Sequence, residues 1–264
     1  MELIPLFSGS SGNATLVRTS GANILIDAGK NCKAIVNALN EAGTDPCDID
    51  AVLITHSHTD HVSGLDVFIR KYPSALYATE GTFRGMARRF TKPHDSTPDI
   101  RITPGVRTKV SDGVFIEAFA TPHDAAGSVC YKITEADQAC VVATDLGVVT
   151  DELKSFLKGA DAALLESNYD RHMLVYGPYP EELKIRIAGD GGHISNDDCA
   201  EVVKYLIDNG TRRFILAHLS EQNNTPAKAE STVCDYLASF KLKRDSDYEM
   251  MVARRHEPTA GFCF

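Results

Sequence analysis

Apolar runs in this chain are short, and most of them end in a turn or in a single titratable residue. Residues 2–28 hold three strand-like runs, broken at Ser8-Gly-Ser-Ser-Gly-Asn13 and at Ser20-Gly21. The third, Ile24-Leu-Ile26, ends in Asp27-Ala-Gly29, and a helical pattern follows over 31–42. Ala51-Val-Leu-Ile54 is a short apolar run of the buried-strand kind. It leads directly into His56-Ser57-His58-Thr59-Asp60-His61. The pattern then predicts a helix over 62–71, a strand over 75–78 and a helix over 80–90. Residues 100–144 read as strand-rich, most clearly at 114–116, 128–133 and 140–143. Helices are expected at 150–158, 197–208 and 226–239, strands at 162–165, 214–217 and 248–252, and a polar segment at 166–192.

Each half of the chain therefore mixes strands and helices. No Gly, Ser or Pro linker separates the halves, and no repeat shows residue by residue. The expectation is one α/β domain over 1–264, a four-layered αββα sandwich with two sheets face to face and helices outside. Such an arrangement leaves a cleft where loops depart from strand ends.

Composition narrows the chemistry. At 264 residues and 43% hydrophobic, the chain can bury a core without disulfides or a structural metal, so any metal serves chemistry. The seven cysteines are odd in number and include no C-x-x-C pair, against both a disulfide framework and a thiolate zinc site. A formal charge of −9 gives no global attraction for nucleic acid, so such binding must come from a local patch or a metal centre. No basic-then-apolar leader and no membrane-length apolar run is evident, and the chain reads as cytoplasmic.

The run from His56 to His61 carries the strongest signal. His56 and His58, two apart after a buried strand, point to the same side in extended backbone. Asp60 and His61 follow where the next helix begins. Imidazole and carboxylate suit zinc, manganese and iron at hydrolytic centres. One catalytic metal takes three protein ligands and keeps a position for water, so four candidates can begin two sites. Further candidates stand at strand ends: His123 in Ala-Thr-Pro-His-Asp, Asp145 in Val-Val-Ala-Thr-Asp-Leu-Gly and His218 in Phe-Ile-Leu-Ala-His-Leu-Ser. Each alone also reads as a capping or core residue.

These motifs resemble those of the metallo-β-lactamase-fold hydrolases, whose signature is H-x-H-x-D-H followed by a separate His, Asp and His. The match follows the family's order over nearly the whole chain, and Asp27 fits the family's structural aspartate. The resemblance implies two divalent ions, Zn²⁺, Mn²⁺ or Fe²⁺. His56, His58 and His123 would bind the first, Asp60, His61 and His218 the second, and Asp145 would bridge both, with a bridging hydroxide as nucleophile. Two divalent ions bring four positive charges. Asp60, Asp145 and the hydroxide remove three, and a centre left positive favours an anionic reacting group such as a phosphodiester.

Within the superfamily, no export signal of the secreted β-lactamases is evident, neither a flavin domain nor the Glu that di-iron reductases carry in place of His58 is seen, and nucleases with the inserted β-CASP domain are much longer than 264 residues. Phe-Ser-Gly-Ser-Ser-Gly-Asn-Ala-Thr-Leu-Val near the start resembles the opening motif of the WalJ/YycJ-type branch. Leu-Glu-Ser-Asn-Tyr-Asp (165–170), Gly-Gly-His-Ile-Ser-Asn-Asp-Asp (191–198) and Ala-His-Leu-Ser-Glu-Gln-Asn-Asn (217–224) match it too. That branch implies a 5′ to 3′ DNA exonuclease linked to DNA repair. The competing reading is a small-molecule metallohydrolase acting on a thioester, lactone or cyclic nucleotide.

Three further groups are open to two readings each. His193 precedes a helix start signalled by Ser195-x-x-Asp198. Its position resembles that of the ribonuclease Z histidine that protonates the leaving group, with Glu166 as an orienting carboxylate; the alternative is a structural loop histidine. Ser10, Ser11 and Asn13 either touch substrate or form only a tight turn. Arg84, Arg88, Arg89 and Lys92, with Arg84 and Arg88 spaced i, i+4, either contact phosphates or form a solvated helix face, and Lys184 with Arg186 make a smaller basic group.

Overall fold

The computed structural model describes residues 1–90 and 97–264. The chain separates into two compact units. The first comprises Met1–Ala120, Ala125–Gln138 and Arg254–Phe264; the second comprises Thr121–Asp124 and Ala139–Ala253.

The first unit begins with strands β1 (Glu2–Phe7), β2 (Ala14–Arg18) and β3 (Asn23–Ile26). Helix α1 (Cys32–Glu41) leads through a 3-10 turn at Pro46–Asp48 to β4 (Ala51–Leu53). After β4 come α2 (Thr59–Val62), α3 (Leu65–Lys71), β5 (Ala75–Thr79), α4 (Glu80–Met86) and β6 (Asp99–Ile102). Strands β7 (Thr108–Ser111), β8 (Val114–Ala120) and β9 (Val129–Glu135) follow as an antiparallel meander. In the second unit the order is β10 (Gln138–Ala143), α5 (Asp151–Leu157), β11 (Ala162–Glu166), α6 (Arg171–Tyr176), α7 (Glu181–Ala188), α8 (Asn196–Asp208), β12 (Arg213–Ala217), α9 (Pro226–Ser239) and β13 (Glu249–Val252). The chain closes with β14 (Phe262–Cys263), back in the first unit.

The first unit's main sheet has the order β14-β1-β2-β3-β4-β5-β6. Pairing is antiparallel from β14 to β3 and parallel from β3 to β6. The change at β3 and β4 brings the carboxyl ends of these two strands side by side, with Ile26 opposite Leu53. Asp27 and Thr55 thus leave the sheet together. The apolar faces of α1, α3 and α4 cover one side through Ile35, Leu39, Phe68, Ile69, Phe83 and Met86, all buried in one cluster with Leu16, Leu25 and Val52.

In the second unit β10, β11, β12 and β13 are all parallel. Every residue of β11 is buried, as a strand covered on both faces requires. The register pairs Ala143 with Leu165 and Glu166 with Ala217. Asp145, Glu166 and His218 therefore stand at neighbouring carboxyl ends, the edge at which open α/β sheets take their ligands.

The predicted elements are found with adjustments, and the 3-10 turn at Pro46–Asp48 and β14 are additions to them. The helix expected over 62–71 is α3 alone, with Val62 closing α2 and Ser63-Gly64 between the two; the Gly64 backbone lies against Lys30, where a Cβ would stand 2.0 Å from the Lys30 carbonyl oxygen. The helix expected over 80–90 ends at Met86 and continues as a turn over 87–89. The polar segment 166–192 contains α6 and α7; α7 buries none of its residues, so no apolar stripe announced it. The strand-rich stretch contains β6 and β7 besides the pieces expected.

Cys32, Cys130, Cys140 and Cys199 are buried, Cys234 is intermediate, and Cys47 and Cys263 are exposed. Burial pushes the Cys130, Cys140 and Cys199 thiols up to about 12, which leaves them inert packing groups. Among the described residues no helix is long and apolar enough to cross a membrane.

Candidate metal-binding residues

In the first unit, His56 and His58 follow β4 directly. His58 is the N-cap residue of α2, and Asp60 and His61 lie in that helix's single turn. The His56 ring lies 4.6 Å from that of His58 and 4.1 Å from that of His61, centroid to centroid. His61 Nε2 is 3.6 Å from Asp60 Oδ2.

Asp27 organises this cluster from behind. It adopts the left-handed backbone region, with φ of 62°. Its Oδ1 accepts from the Thr55 amide at 2.9 Å, and its Oδ2 accepts from the Thr55 hydroxyl at 2.9 Å and from His61 Nδ1 at 2.7 Å. With its proton committed to Asp27, the Thr55 oxygen is an acceptor for His56 Nδ1, 3.1 Å away. Both rings are fully buried, and in both Nδ1 is the nitrogen directed at these oxygens, which leaves Nε2 as the atom available to a metal. A carboxylate behind a histidine fixes the tautomer and raises the basicity of the far nitrogen, the arrangement found behind metal-bound imidazoles.

Gly29 makes this geometry possible. A Cβ on it would lie 1.7 Å from the Asp60 carbonyl oxygen. The same close approach lets the Asn13 amide donate to Asp60 O at 2.7 Å and the Ala28 amide to His61 O at 2.8 Å. Asn13 is buried, and its side-chain nitrogen stands 3.1 Å from His61 Nε2 and 3.4 Å from Asp60 Oδ2. Of the turn residues, Asn13 therefore joins the His run. Ser10 and Ser11 are exposed, and Ser11 accepts from Lys30 at 2.9 Å.

The second unit gathers His123, Asp145, Glu166, His193 and His218. Ligand atoms of Asp145, Glu166, His193 and His218 all lie within 4.8 Å of one another. Glu166 is fully buried at the end of β11. Its Oε1 accepts from His193 Nδ1 at 2.8 Å and from His218 Nδ1 at 2.9 Å. Its Oε2 accepts from the Leu146 amide at 2.8 Å and the Ile194 amide at 3.3 Å. Burial works against the Glu166 charge, but the two imidazoles outweigh it and hold the carboxyl below its usual range. For His193, burial likewise opposes protonation, and the Glu166 carboxylate overcomes it and leaves the pKa raised.

Asp145 Oδ1 stands 3.6 Å from His123 Nε2 and 3.5 Å from His218 Nδ1. His123 is held from behind by the Gly192 carbonyl, 3.1 Å from Nδ1. Donors on one tetrahedral ion at ~2.0–2.1 Å stand roughly 3.3–3.5 Å apart. The His61–Asp60 and His123–Asp145 separations, both 3.6 Å, are close to that spacing. The donor types and the Nδ1 contacts behind His61 and His123 also fit divalent metal.

The basic segment is partly engaged. Arg84 pairs with Glu80 at 3.0 Å, and Arg101 pairs with the same carboxylate. Because α4 ends at Met86, Arg84 and Arg88 do not share one continuous helix. Arg89, by contrast, donates to the Thr59 hydroxyl at 2.9 Å, inside the His run. Lys92 lies outside the described residues. Lys184 donates to the Val175 carbonyl, and Arg186 pairs with Asp124 at 2.5 Å.

Two contributors escaped the sequence argument. Tyr131 is buried on β9 and donates through its hydroxyl to Ile54 O at 2.8 Å, bracing the strand end before the His run. Asn168 donates to His218 O at 2.8 Å and is supported by Asn224, which donates to Asn168 O at 3.1 Å. The Asn168 and Asn224 motifs were visible, but nothing in spacing revealed that their amides hold a histidine backbone.

Residues 22–219 match the family model described as a beta-lactamase superfamily domain. The chain is 38% identical to the exodeoxyribonuclease WalJ of Streptococcus pneumoniae serotype 2 over 246 residues, 93% of this chain and 91% of that protein. It is 36% identical to the exodeoxyribonuclease YycJ of Bacillus anthracis over 232 residues, 88% and 87% of the two chains. Among solved structures, Zn(2+)-bound PqqB from Methylobacterium extorquens aligns with a TM-score of 0.70 at 18% identity, covering 98% of this chain and 99% of that one. The chain belongs to the β-lactamase superfamily, with the WalJ and YycJ proteins, and has the metallo-β-lactamase fold.

Proposed function

We propose that this protein is a metal-dependent DNA exonuclease working 5′ to 3′. The observation that carries the reading is identity of 36–38% over most of the chain to proteins named exodeoxyribonucleases. A cytoplasmic part in DNA repair belongs to the same proposal.

The ligand assignment follows the family's order: His56, His58 and His123 for one ion, Asp60, His61 and His218 for the other, and Asp145 for both. Supporting it within each unit are the carboxylates behind His61 and His218 and the donor spacings around Asp60 and Asp145. Two divalent ions, Zn²⁺ or Mn²⁺ and possibly Fe²⁺ by donor chemistry, supply activation of water and neutralisation of phosphate charge when bound.

The protein's own groups do the rest. Asp27 and Glu166 hold His61 and His218 in fixed tautomers. His193, fixed at Nδ1 by Glu166 and with its pKa raised, carries a proton suited to the leaving oxygen. Arg89, anchored at Thr59, offers a cation to the substrate backbone beside the His run, with Arg84 and Arg88 further along the surface. Asn13 steadies Asp60 and His61, and Ser10 and Ser11 stand exposed at the same turn.

The deciding experiment incubates the purified protein with Mn²⁺ or Zn²⁺ and end-labelled DNA. Mononucleotides are released, and His58→Ala stops their release. A metal-loaded protein that leaves DNA intact and hydrolyses an ester instead sinks the nuclease reading. The His193 role falls if His193→Ala keeps full turnover on a substrate with a poor leaving group.

A further inference from the structure

The loop between β1 and β2 presents a set of donors beside the His run. It is tied down at both ends. The Gly9 amide donates to the buried Asn13 Oδ1 at 2.8 Å, the Gly12 amide to Gly9 O at 2.9 Å and the Asn13 amide to Asp60 O at 2.7 Å. Gly12 lies so close to the chain at 29–30 that a Cβ would stand 2.4 Å from Gly29 O and 2.7 Å from Lys30 Cδ. The tip of the loop, Ser10-Ser11, is exposed. Among the described residues neither tip amide donates to a protein acceptor.

Lys30 joins this tip. Its ammonium donates to Ser11 Oγ at 2.9 Å and stands 5.9 Å from the centroid of the Phe7 ring. Because that oxygen accepts from lysine, the Ser11 hydroxyl proton points elsewhere and is a donor for a ligand. Two amides, two hydroxyls and an ammonium are thus grouped on a held backbone, and all of them donate. Such a group suits an oxyanion, and lysine, serine and backbone amide are the usual partners of phosphate oxygens in nucleic-acid complexes.

The surrounding charges agree. Lys33 is exposed in the first turn of α1, which holds no acid. Asp66 pairs with Arg70 at 3.2 Å. Asp60 also borders the loop, with Oδ2 3.4 Å from Asn13 Nδ2, but it is one of the proposed metal ligands, where the ion answers its charge. Asn13 Nδ2 stands 3.1 Å from His61 Nε2, and Ser11 is two residues further along, a backbone reach of roughly 7 Å at most. The tip therefore lies beside the place of the reacting phosphate, not at it.

We propose that Ser10, Ser11 and Lys30 form a subsite for the phosphate next to the one being cut, and that Lys30 supplies its charge. The assignment rests on the nuclease reading, in which the reacting phosphate lies at the His run. Two phosphates of a strand shortened from its 5′ end meet the description: the 5′-terminal one on one side, and the second internucleotide linkage on the other.

The test uses the full chain in two assays. In the first, inorganic phosphate is titrated and followed by nuclear magnetic resonance. It shifts the Ser10 and Ser11 amide signals. Lys30→Gln, and Ser11→Asp, which sets a carboxylate against the ammonium, each weaken that binding about tenfold or more, as expected for loss of one charge-assisted hydrogen bond. In the second, one phosphate at a time is removed or neutralised, by a 5′-hydroxyl end or by a methylphosphonate at the second linkage. Wild type loses about tenfold in kcat/KM on one of these two strands, which identifies the phosphate, and on that strand Lys30→Gln costs nothing further. Phosphate that leaves the Ser10 and Ser11 amides unmoved, or a Lys30→Gln penalty undiminished on both altered strands, overturns the subsite even where DNA is cleaved. Phosphate binding at the tip that Lys30→Gln removes, in a protein that leaves DNA intact, overturns the nuclease reading and keeps the anion site.

Discussion

Glu166→Gln is the substitution for which the structure gives the most constrained outcome. Four donors converge on one buried carboxylate: His193 and His218 on Oε1, Leu146 and Ile194 on Oε2. Glutamine keeps the shape but has a single acceptor oxygen. Turned one way, its NH₂ faces the Leu146 and Ile194 amides, which lose their acceptor; turned the other, it faces two ring nitrogens, which must give up the protons the carboxylate holds there. Each orphaned buried donor costs about 1–3 kcal/mol, so the variant should lose roughly 2–6 kcal/mol. That is a large part of the ~5–15 kcal/mol that holds a typical domain together. Urea unfolding of metal-stripped protein measures the loss, and amide hydrogen exchange at Leu146 and Ile194 localises it. The sign of the pH dependence also follows. A raised His193 pKa contributes stability that is complete below the unfolded imidazole value and lost as pH rises through the folded one. The gap between wild type and variant therefore narrows with rising pH. A loss under about 1 kcal/mol, with unchanged protection of both amides, refutes the four-donor argument.

Two further outcomes rest on the first unit. Asp27→Asn keeps a residue that tolerates the left-handed backbone but removes the charge behind His61. Zinc affinity measured by chelator competition should fall about 10–100-fold, and an unchanged affinity refutes the orienting role. Gly29→Ala drives a methyl into the Asp60 carbonyl, and ordinary overpacking already costs about 1–3 kcal/mol. Thermal unfolding should show a loss at or above that range, and a variant as stable as the wild type would mean that the two backbones can part freely.

Much of the fold was legible because its central strands, β4, β11 and β12 among them, are buried along most of their length. Residues 51–54, 162–165 and 214–217 read as apolar runs that buried strands of that length produce, and a titratable residue at or just past the end of each (His56, Glu166, His218) marked where it stops. The region 166–192 resisted because α7 makes no buried contact that would impose a period. Glu166 shows the other limit. It opens the segment expected to be polar after strand 162–165, and only the resemblance to ribonuclease Z suggested it as a partner of His193. Its simultaneous hold on His218, 52 residues on, depends on the parallel register of β11 and β12, which no local pattern encodes. Asn13 likewise reads as one more turn residue until the close approach at Gly29 brings it against His61.

The backbone at the strand ends carries a related signature. Among the described residues six non-glycine positions have positive φ: Asp27, Ala136, Asp145, His218, Lys241 and Asp245. Ala136, Lys241 and Asp245 lie in turns. The other three directly follow or lie just beyond β3, β10 and β12, each at φ of 56–62°. A left-handed residue with a Cβ costs about 1–2 kcal/mol, least for aspartate and most tellingly for histidine. Folding alone would place glycine there. What offsets the cost at Asp27 is its contacts with Thr55 and His61, and at His218 the Glu166 carboxylate and the Asn168 amide on its carbonyl. In both cases the left-handed turn lets a side chain leave a strand end and meet buried partners within its own unit, at the same carboxyl edge. Retaining a titratable side chain in a conformation that favours glycine, at three such ends, is how this fold trades local stability for fixed donor geometry.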